Sequence, residues 1–345
     1  MEPVSILASG MVTGVGLNAP ASCAAIRCGI TNFSETRFMD KGGEWIIGCA
    51  VPLPEPWRGR AKLLRLVVPA IQECLTSVRN LQVNEIPLLL CLAERTRPGR
   101  LDGLDATMLG EIEAALGVRF HPRSGTVEQG KVGGLVAMKE AGRLFTDEGI
   151  SLCLIAGVDS FLVASALAAY EESNRLQTSK NSDGFIPGEA GAAVLVSHGS
   201  KPNIPTLSCL GIGFGQEPAT VESEEPLKAD GLVAAIRGAL SEAGRTMGDM
   251  DYRITDLSGE QYGFKEASLA LSRTLRARKE RFDLWHPADC IGEVGAAIVP
   301  CMLGMLHAAT RKNYAPGKNA LCHAANDAGE RACMIVSSGS SEQAA

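Results

Sequence analysis

Residues 183 to 196, Asp-Gly-Phe-Ile-Pro-Gly-Glu-Ala-Gly-Ala-Ala-Val-Leu-Val, decide the fold of this chain. Glycines and a proline crowd the first half of the stretch, and an uninterrupted apolar run follows. Glycine permits close backbone approaches that other residues prevent, and a short continuous apolar run is typical of a strand covered on both faces. The stretch therefore predicts a turn that feeds a buried strand.

Short apolar runs alternate with helical patterns on both sides of this stretch. The predicted strands are residues 4–16 with a glycine-rich turn, 86–92, 152–159, 207–214, 253–257 and a closing hairpin of 320–325 and 331–337. The predicted helices are residues 19–29, 62–79, 110–116, 133–145, 227–243, 264–278 and 295–310. The polar, proline-containing residues 198–205 predict a junction. We therefore expect an α/β chain whose similar halves, 1–200 and 201–345, form one compact unit.

Composition excludes several classes of partner. The chain has 345 residues, 46% of them hydrophobic, which allows a large core. Its formal net charge of −6 provides no basic field, so we expect neither nucleic acid nor a membrane surface as a partner. The longest apolar stretch, residues 294–306, is interrupted by Pro300 and is shorter than the roughly 20 residues of a membrane span.

The cysteines and histidines do not form a metal-binding pattern. Eleven cysteines and five histidines are scattered along the chain without a CxxC pair. Reduced thiols are the ordinary state of cysteine in the cytoplasm, which is the predicted location. We predict no metal and no cofactor.

Three segments resemble β-ketoacyl synthases. Residues 183–196 resemble that family's DGFVxGEGAAxLVLE motif, residues 4–33 resemble its opening segment, and residues 152–161 resemble its VMVAGGxDS strand and loop. The resemblance covers nearly the whole chain and is most specific at residues 4–30, 152–196 and 289–297. It implies a thiolase-like, five-layer αβαβα fold made of two similar halves. It also implies a homodimer that condenses acyl thioesters with one cysteine and two histidines.

The positions that match those catalytic residues hold different side chains. Matching the motifs TACxxGxxA, NAHGT and GHxxGAAG places Lys131 (or Val132, after a one-residue shift) at the cysteine, and Ser258 and Glu293 at the two histidines. A serine hydroxyl cannot become a cation, and a carboxylate repels an enolate oxygen that the family's histidines would stabilise. The resemblance therefore implies a degenerate active site.

The same matching predicts the residues that line the acyl-binding cavity. They are Cys290, Gly292, His323, Asn326 and Gly329. The family's NSFGFGGTN gate corresponds to residues 323–330, which keep only the last glycine. Gating of an acyl chain is therefore also expected to differ.

Other chemistries stay open at this point. An active-site lysine could form a Schiff base if burial lowered its pKa, a cysteine and a histidine could form a relocated pair, and neighbouring acids could act as general acid and base. Lys131 is the candidate for the Schiff base. The relocated pair would come from Cys290, Cys322 and His323, and the acids are Glu260, Glu293 and Asp256.

The expected function is that of a β-ketoacyl synthase-like protein without condensing activity. It would bind an acyl thioester or acyl carrier protein, or serve as a scaffolding or heteromeric partner, as chain-length-factor subunits do in this family. A secretion adaptor is a further candidate partner. The alternative is an active 3-oxoacyl-carrier-protein synthase, acyltransferase or decarboxylase of fatty acid or polyketide metabolism that uses non-standard residues.

Overall fold

A computed structural model describes residues 2–199 and 206–339. The predicted boundary at residue 200 lies outside the described residues. The strands are β1 (Val4–Thr13), β2 (Ser34–Met39), β3 (Trp45–Gly48), β4 (Leu88–Cys91), β5 (Gly125–Val127), β6 (Leu152–Ser160), β7 (Glu189–His198), β8 (Thr206–Gln216), β9 (Tyr252–Thr255), β10 (Leu284–Trp285), β11 (Asn319–Ala325) and β12 (Glu330–Gly339). The helices are α1 (Ala19–Arg27), α2 (Gly59–Thr76), α3 (Leu104–Leu116), α4 (Gly133–Glu148), α5 (Ala164–Glu172), α6 (Asp230–Glu242), α7 (Gln261–Thr274), α8 (Ala288–Ile291) and α9 (Ile298–Arg311).

Ten strands form a sheet whose order repeats between its two parts. The order is β10-β9-β11-β12-β8-β1-β7-β6-β4-β5, and β2 and β3 form a separate hairpin. Numbered within each part without that hairpin, the strands follow the order 3-2-4-5-1 from each outer edge. The fifth strand, β7 or β12, is antiparallel to both neighbours. The strand order therefore repeats, whereas the exact division of the chain at residue 200 stays a prediction.

Helices cover the sheet in layers. The largest apolar cluster joins α4 and α9 to strands of both parts, so these two helices form the central layer. A second cluster packs α2 and α3 on the outer face of β4, β6 and β7, and a third packs α6 and α7 against β11 and β12. This arrangement of helix, strand, helix, strand and helix layers confirms the predicted thiolase-like α/β fold.

The signature stretch forms the predicted buried strand. Every residue of β7 except His198 is buried, and β7 lies between β1 and β6. Gly191 faces α2 so closely that a Cβ there would lie 2.3 Å from the backbone of Leu66. Gly188 lies equally close to the C-terminal end of α8, because a Cβ there would lie 2.2 Å from the Ile291 carbonyl oxygen. The two glycines therefore allow helices to approach the sheet on both faces.

The acid of the signature has a structural partner. The Glu189 side chain is fully buried, and Lys62 Nζ lies 2.6 Å from its Oε2 atom. Ser160 Oγ donates to the same oxygen at 2.7 Å, and the Val51 amide donates to Oε1 at 3.0 Å. A buried carboxylate is tolerated when its lone pairs are satisfied in this way. Glu189 therefore joins β7, β6 and α2.

The structure also contains elements that the sequence patterns did not predict. These are the β2–β3 hairpin, the short edge strands β5 and β10, and helix α5. Helix α7 ends at Thr274 rather than at residue 278, because Leu275 is extended, with φ −83° and ψ 123°. No helix in residues 2–199 and 206–339 is long and apolar enough to cross a membrane. All eleven cysteines are free thiols, and only Cys28 is exposed.

Candidate functional site

Three separate segments bring Lys131, Ser258 and Glu293 together. Lys131 lies in a 3₁₀ turn directly before α4, Ser258 follows β9, and Glu293 lies between α8 and a second 3₁₀ turn before α9. Lys131 Nζ is 3.5 Å from Glu293 Oε2, and Ser258 Oγ donates to the same oxygen at 2.9 Å. The structure thus places the three predicted residues in one cluster. Their assignment to catalytic roles stays a prediction.

Lys131 is held as a cation. Asp256 Oδ2 lies 3.6 Å from its ammonium group, and the lysine side chain is only 18% exposed. Burial disfavours the charge, but the carboxylates of Glu293, Asp256 and Asp327 outweigh burial and hold the pKa of Lys131 above its usual range. A helix N-terminus favours anions, so a lysine ahead of α4 requires such carboxylates nearby. The predicted nucleophile position therefore holds a protonated amine.

Glu293 has no unsatisfied oxygen. Its Oε1 atom accepts a hydrogen bond from the Gly295 amide at 2.9 Å, which caps the turn leading into α9. Its Oε2 atom is shared by Ser258 and Lys131. Since carboxylates are favoured at a helical N-terminus, Glu293 is stabilised both by the backbone and by the ammonium group. Both oxygens of Glu293 are therefore held by contacts within the protein.

The Asn326 side chain is hydrogen-bonded to the backbone amide at the start of α4. The Val132 amide donates to Asn326 Oδ1 at 3.4 Å, and Asn326 Nδ2 donates to the Gln129 carbonyl at 2.9 Å. Free amides at a helix N-terminus are what an oxyanion hole requires. Here the Asn326 carboxamide already accepts from this amide, and the same contacts tie the turn that carries Lys131 to the end of β11.

A buried arginine closes one side of the cluster. Arg175 donates two hydrogen bonds to Glu260, at 2.8 and 2.9 Å, and two to Asp327, at 2.6 and 3.0 Å. Burial alone would raise the pKa of Asp327, but Lys131 and Arg175 lower it below its usual range. Arg175 therefore links the end of α5 to the start of α7 and to the β11–β12 turn.

The cavity at this cluster is small, with a volume of about 50 Å³. A water molecule needs about 10–15 Å³, so the space suits a few waters rather than an acyl chain. The wall combines charged side chains with apolar ones. The lining includes Lys131, Arg175, Asp256, Ser258, Glu260, Glu266, His323, Asn326, Asp327 and Arg331.

The predicted cavity residues divide into two groups. His323 and Asn326 line the cavity beside Ser258. His323 is buried, and burial together with the positive charges of Arg253 and Arg331 lowers its pKa to about 3. His323 is therefore neutral near pH 7 and accepts or donates one hydrogen bond, to Thr255 Oγ1 at 3.3 Å.

Cys290, Gly292 and Gly329 do not line this cavity, and their role in substrate binding stays a prediction. Cys290 lines a different cavity, because the tight turn after α8 directs it away from Glu293. Gly292 supplies that turn with φ +71°, and Gly329 shapes the β11–β12 turn with φ +101°. Both are positions where glycine is favoured for backbone reasons.

The geometry disfavours the three alternative chemistries. A Schiff-base lysine must lose its proton, whereas Lys131 is held as a cation. Cys322 and His323 are successive residues of β11 and therefore face opposite sides of the strand, and Cys290 lies elsewhere. Glu260 is bound by Arg175, and Glu293 and Asp256 share Lys131. No member of the predicted acid pair is unpaired.

Sequence reasoning missed Arg175, Asp327 and Glu94. Glu94 lies against the turn that carries Lys131, since a Cβ on Gly130 would lie 2.0 Å from its Oε2 atom. Burial raises the pKa of Glu94, although Arg97 acts in the opposite direction. The sequence feature that could have indicated Arg175 is its isolated position between the apolar residues 162–170 and the signature stretch 183–196. The feature that could have indicated Asp327 is its charge, since it lies within residues 323–330, which replace the family's apolar gate.

Comparisons with known proteins agree with this fold. No protein-family description matches the chain. Among curated proteins, one described as polyketide β-ketoacyl synthase 2 of Streptomyces cyaneus is 24% identical over 213 residues. The aligned part covers 58% of this chain and 50% of that protein, so the chain spans about half the length of the curated relative it matches.

Solved ketosynthase structures superpose on nearly the entire chain. A type II polyketide synthase acyl-carrier protein in complex with its hexaketide-bound ketosynthase gives a TM-score of 0.81 at 14% identity, covering 98% of this chain and 100% of that one. A ketosynthase in complex with its chain length factor from Xenorhabdus doucetiae gives 0.76 at 13% identity, covering 98% of each chain. A β-ketoacyl synthase from Burkholderia phymatum gives 0.76 at 14% identity, covering 98% and 100%. The chain has the thiolase-like ketosynthase fold.

Proposed function

We propose that this chain is a non-condensing ketosynthase-like subunit that acts by binding a protein partner of acyl-chain metabolism, in the cytoplasm. The observation that carries the proposal is an ion cluster in which Lys131 and Glu293, at positions that match the family's cysteine and one of its histidines, are joined by the neighbouring carboxylate of Asp256. A condensing site needs an anionic nucleophile and donors for an enolate oxygen. This cluster supplies a cation and two carboxylates that already bind one another.

The charge of the cavity supports the same conclusion. Its wall and Glu293 contribute five carboxylates and three cations, so the ionised cluster is net negative. The acids are Asp256, Glu260, Glu266, Glu293 and Asp327, and the cations are Lys131, Arg175 and Arg331. Malonyl groups are anionic, and like charges repel strongly where water is scarce. Together with the small volume, this charge favours binding of a partner on the outer surface over storage of an acyl chain inside.

Two classes of partner fit the proposal. Solved neighbours include a ketosynthase bound to a chain length factor and a ketosynthase bound to an acyl-carrier protein. Pairing with a second ketosynthase-fold chain, either an identical copy or an active enzyme, is the first class. The edge strand β5 has half-exposed residues and is the edge that such pairing would extend. An acyl carrier protein is the second class, and a secretion adaptor is a further candidate.

Size-exclusion chromatography with light scattering tests the assembly. The chain alone should elute as a homodimer of twice 36.3 kDa. Co-expression with a ketosynthase encoded by the same organism should yield a 1:1 complex in place of the homodimer. Thr126→Lys adds a charge to the β5 edge and should give a monomer, because edge lysines oppose strand pairing. Lys139→Met, on the exposed face of α4, serves as a control that should leave every assembly unchanged.

Acyl carrier protein loaded with an acetyl or malonyl group tests the second class of partner. The loaded carrier is mixed with the purified chain, and both complex formation and the intact masses of the two proteins are followed. Binding without a covalent adduct and without loss of carbon dioxide would support the proposal. A monomer that forms no complex with either partner would contradict it.

A further inference from the structure

A second, larger cavity opens between α1, α8 and α9. Its volume is about 360 Å³, and it shares no lining residue with the ion-cluster cavity. Its floor consists of Cys23, Cys290 and Met305, each less than a tenth exposed. Small-molecule sites commonly have this size and an apolar floor. The cavity is therefore large enough for a ligand and apolar at its base.

Aromatic side chains form one wall of this cavity. The rings of Trp285 and Tyr314 have centroids 6.4 Å apart and an interplanar angle of 32°. Trp285 also packs on the buried ring of Tyr252, at 4.9 Å, which fixes its orientation. Trp285 and Tyr314 are themselves only half-buried. They therefore present aromatic surface to a ligand at low entropic cost.

A cation lies at the mouth beside this aromatic wall. Arg27, the last residue of α1, has its Cζ atom 4.1 Å from the centroid of the Tyr314 ring. Within the described parts of the chain, Arg27 forms no ion pair with a carboxylate. An arginine stacked on an aromatic ring keeps its N–H groups available for an anion.

The other charged group at the mouth is differently placed. The Asp289 side chain is 68% exposed, and its Oδ1 atom lies 2.9 Å from His286 Nδ1. That contact lacks hydrogen-bond geometry, so the buried His286 Nδ1 has no hydrogen-bond partner in residues 2–199 and 206–339. Water screens the exposed Asp289 carboxylate, whereas Arg27 faces the aromatic wall directly.

We propose that this cavity binds a small planar aromatic carboxylate. The ring packs against Trp285 and Tyr314 above the sulfur-containing floor, and the carboxylate accepts hydrogen bonds from Arg27. The aromatic wall selects a planar body over an aliphatic one, and the guanidinium selects an anion over a neutral molecule. This site is independent of the ion cluster and of the proposed partner-binding role.

Isothermal titration calorimetry with three probes tests the assignment. The probes are 2-naphthoate, the neutral 2-naphthalenemethanol and the aliphatic octanoate. We expect 2-naphthoate to bind at least about tenfold more tightly than either of the others, since a charge-assisted hydrogen bond and aromatic contacts are each worth about that factor. Arg27→Gln should weaken 2-naphthoate binding about tenfold and leave the alcohol unchanged.

Arg37→Gln is the matched control. Arg37 also lies over an aromatic ring, with its Cζ atom 5.0 Å from the Phe38 centroid, but it belongs to a different part of the surface. This variant should bind 2-naphthoate as the wild type does. Lack of saturable 2-naphthoate binding, equal affinity for octanoate, or an Arg27→Gln protein with unchanged affinity would each overturn the proposal.

Discussion

Replacing Lys131 by methionine tests whether the ion cluster holds the two parts of the fold together. Methionine keeps most of the length and removes the charge. Glu293 and Asp256 are each only 4% exposed and would lose their shared cation. Removing one partner of a buried ion pair costs about 3–5 kcal/mol. Both acids keep other hydrogen bonds, from Ser258 and the Gly295 amide to Glu293 and from the Ala325 amide to Asp256, so we expect the lower end, about 3 kcal/mol.

Urea unfolding at pH 7.5, followed by far-ultraviolet circular dichroism, measures this loss. Lys139→Met is the matched control, because Lys139 lies 2.7 Å from Glu242 but is 45% exposed. Exposed pairs contribute about 0–1 kcal/mol. Adding Glu293→Gln to Lys131→Met should recover part of the loss, since it removes one of the two unpaired charges. If Lys131→Met were as stable as Lys139→Met, the cluster would not be a buried ion network.

Three further outcomes follow from the structure. At alkaline pH, the raised pKa of Lys131 means that its stabilising contribution is complete below the unfolded value of about 10.4 and is lost as pH rises toward the higher folded value. The urea midpoints of wild type and Lys131→Met should therefore begin to converge above about pH 10.4. Burial lowers the pKa of His323 to about 3, so the unfolded chain binds a proton that the folded chain excludes as pH falls below about 6.5. In His323→Gln, the free energy of unfolding should therefore fall less steeply with decreasing pH, by up to about 1.4 kcal/mol per pH unit. An unchanged slope would refute this. Gly191→Ala should lower the free energy of unfolding by about 1–3 kcal/mol or more, because its Cβ would meet the Leu66 backbone. Gly110→Ala is the control, since a Cβ at this position on α3 has nothing within 4 Å; it should be neutral or stabilising by up to about 1 kcal/mol in the same urea titration.

Local patterns were sufficient to predict the frame. The apolar run after Glu189 predicts β7, because a strand covered on both faces is nearly continuously apolar. Motif spacing also brought Lys131, Ser258 and Glu293 to one place, since each lies next to an element that this frame positions. By contrast, the β2–β3 hairpin has polar residues such as Arg37 within a weak alternating pattern, and it was not predicted.

The ion pairs of Arg175 could not be predicted from local sequence patterns, and the reason is physical. Arg175, Glu260 and Asp327 come from three distant segments, and pairing among them depends on tertiary packing rather than on spacing along the chain. Cys290 illustrates the same limit on a smaller scale. It is three residues from Glu293, but the φ of +71° at Gly292 turns the chain between them, so the two side chains serve different cavities.

The most direct test of the central claim is an assay for condensation with purified protein. Acetyl-loaded and malonyl-loaded acyl carrier proteins are incubated with the chain, and intact-mass spectrometry follows both proteins over time. We expect no acyl adduct on the chain, no decarboxylated carrier protein and no β-ketoacyl product, because Lys131 is charged and the Glu293 carboxylate is already bound. A β-ketoacyl product formed by the wild type and abolished by Lys131→Met would contradict it.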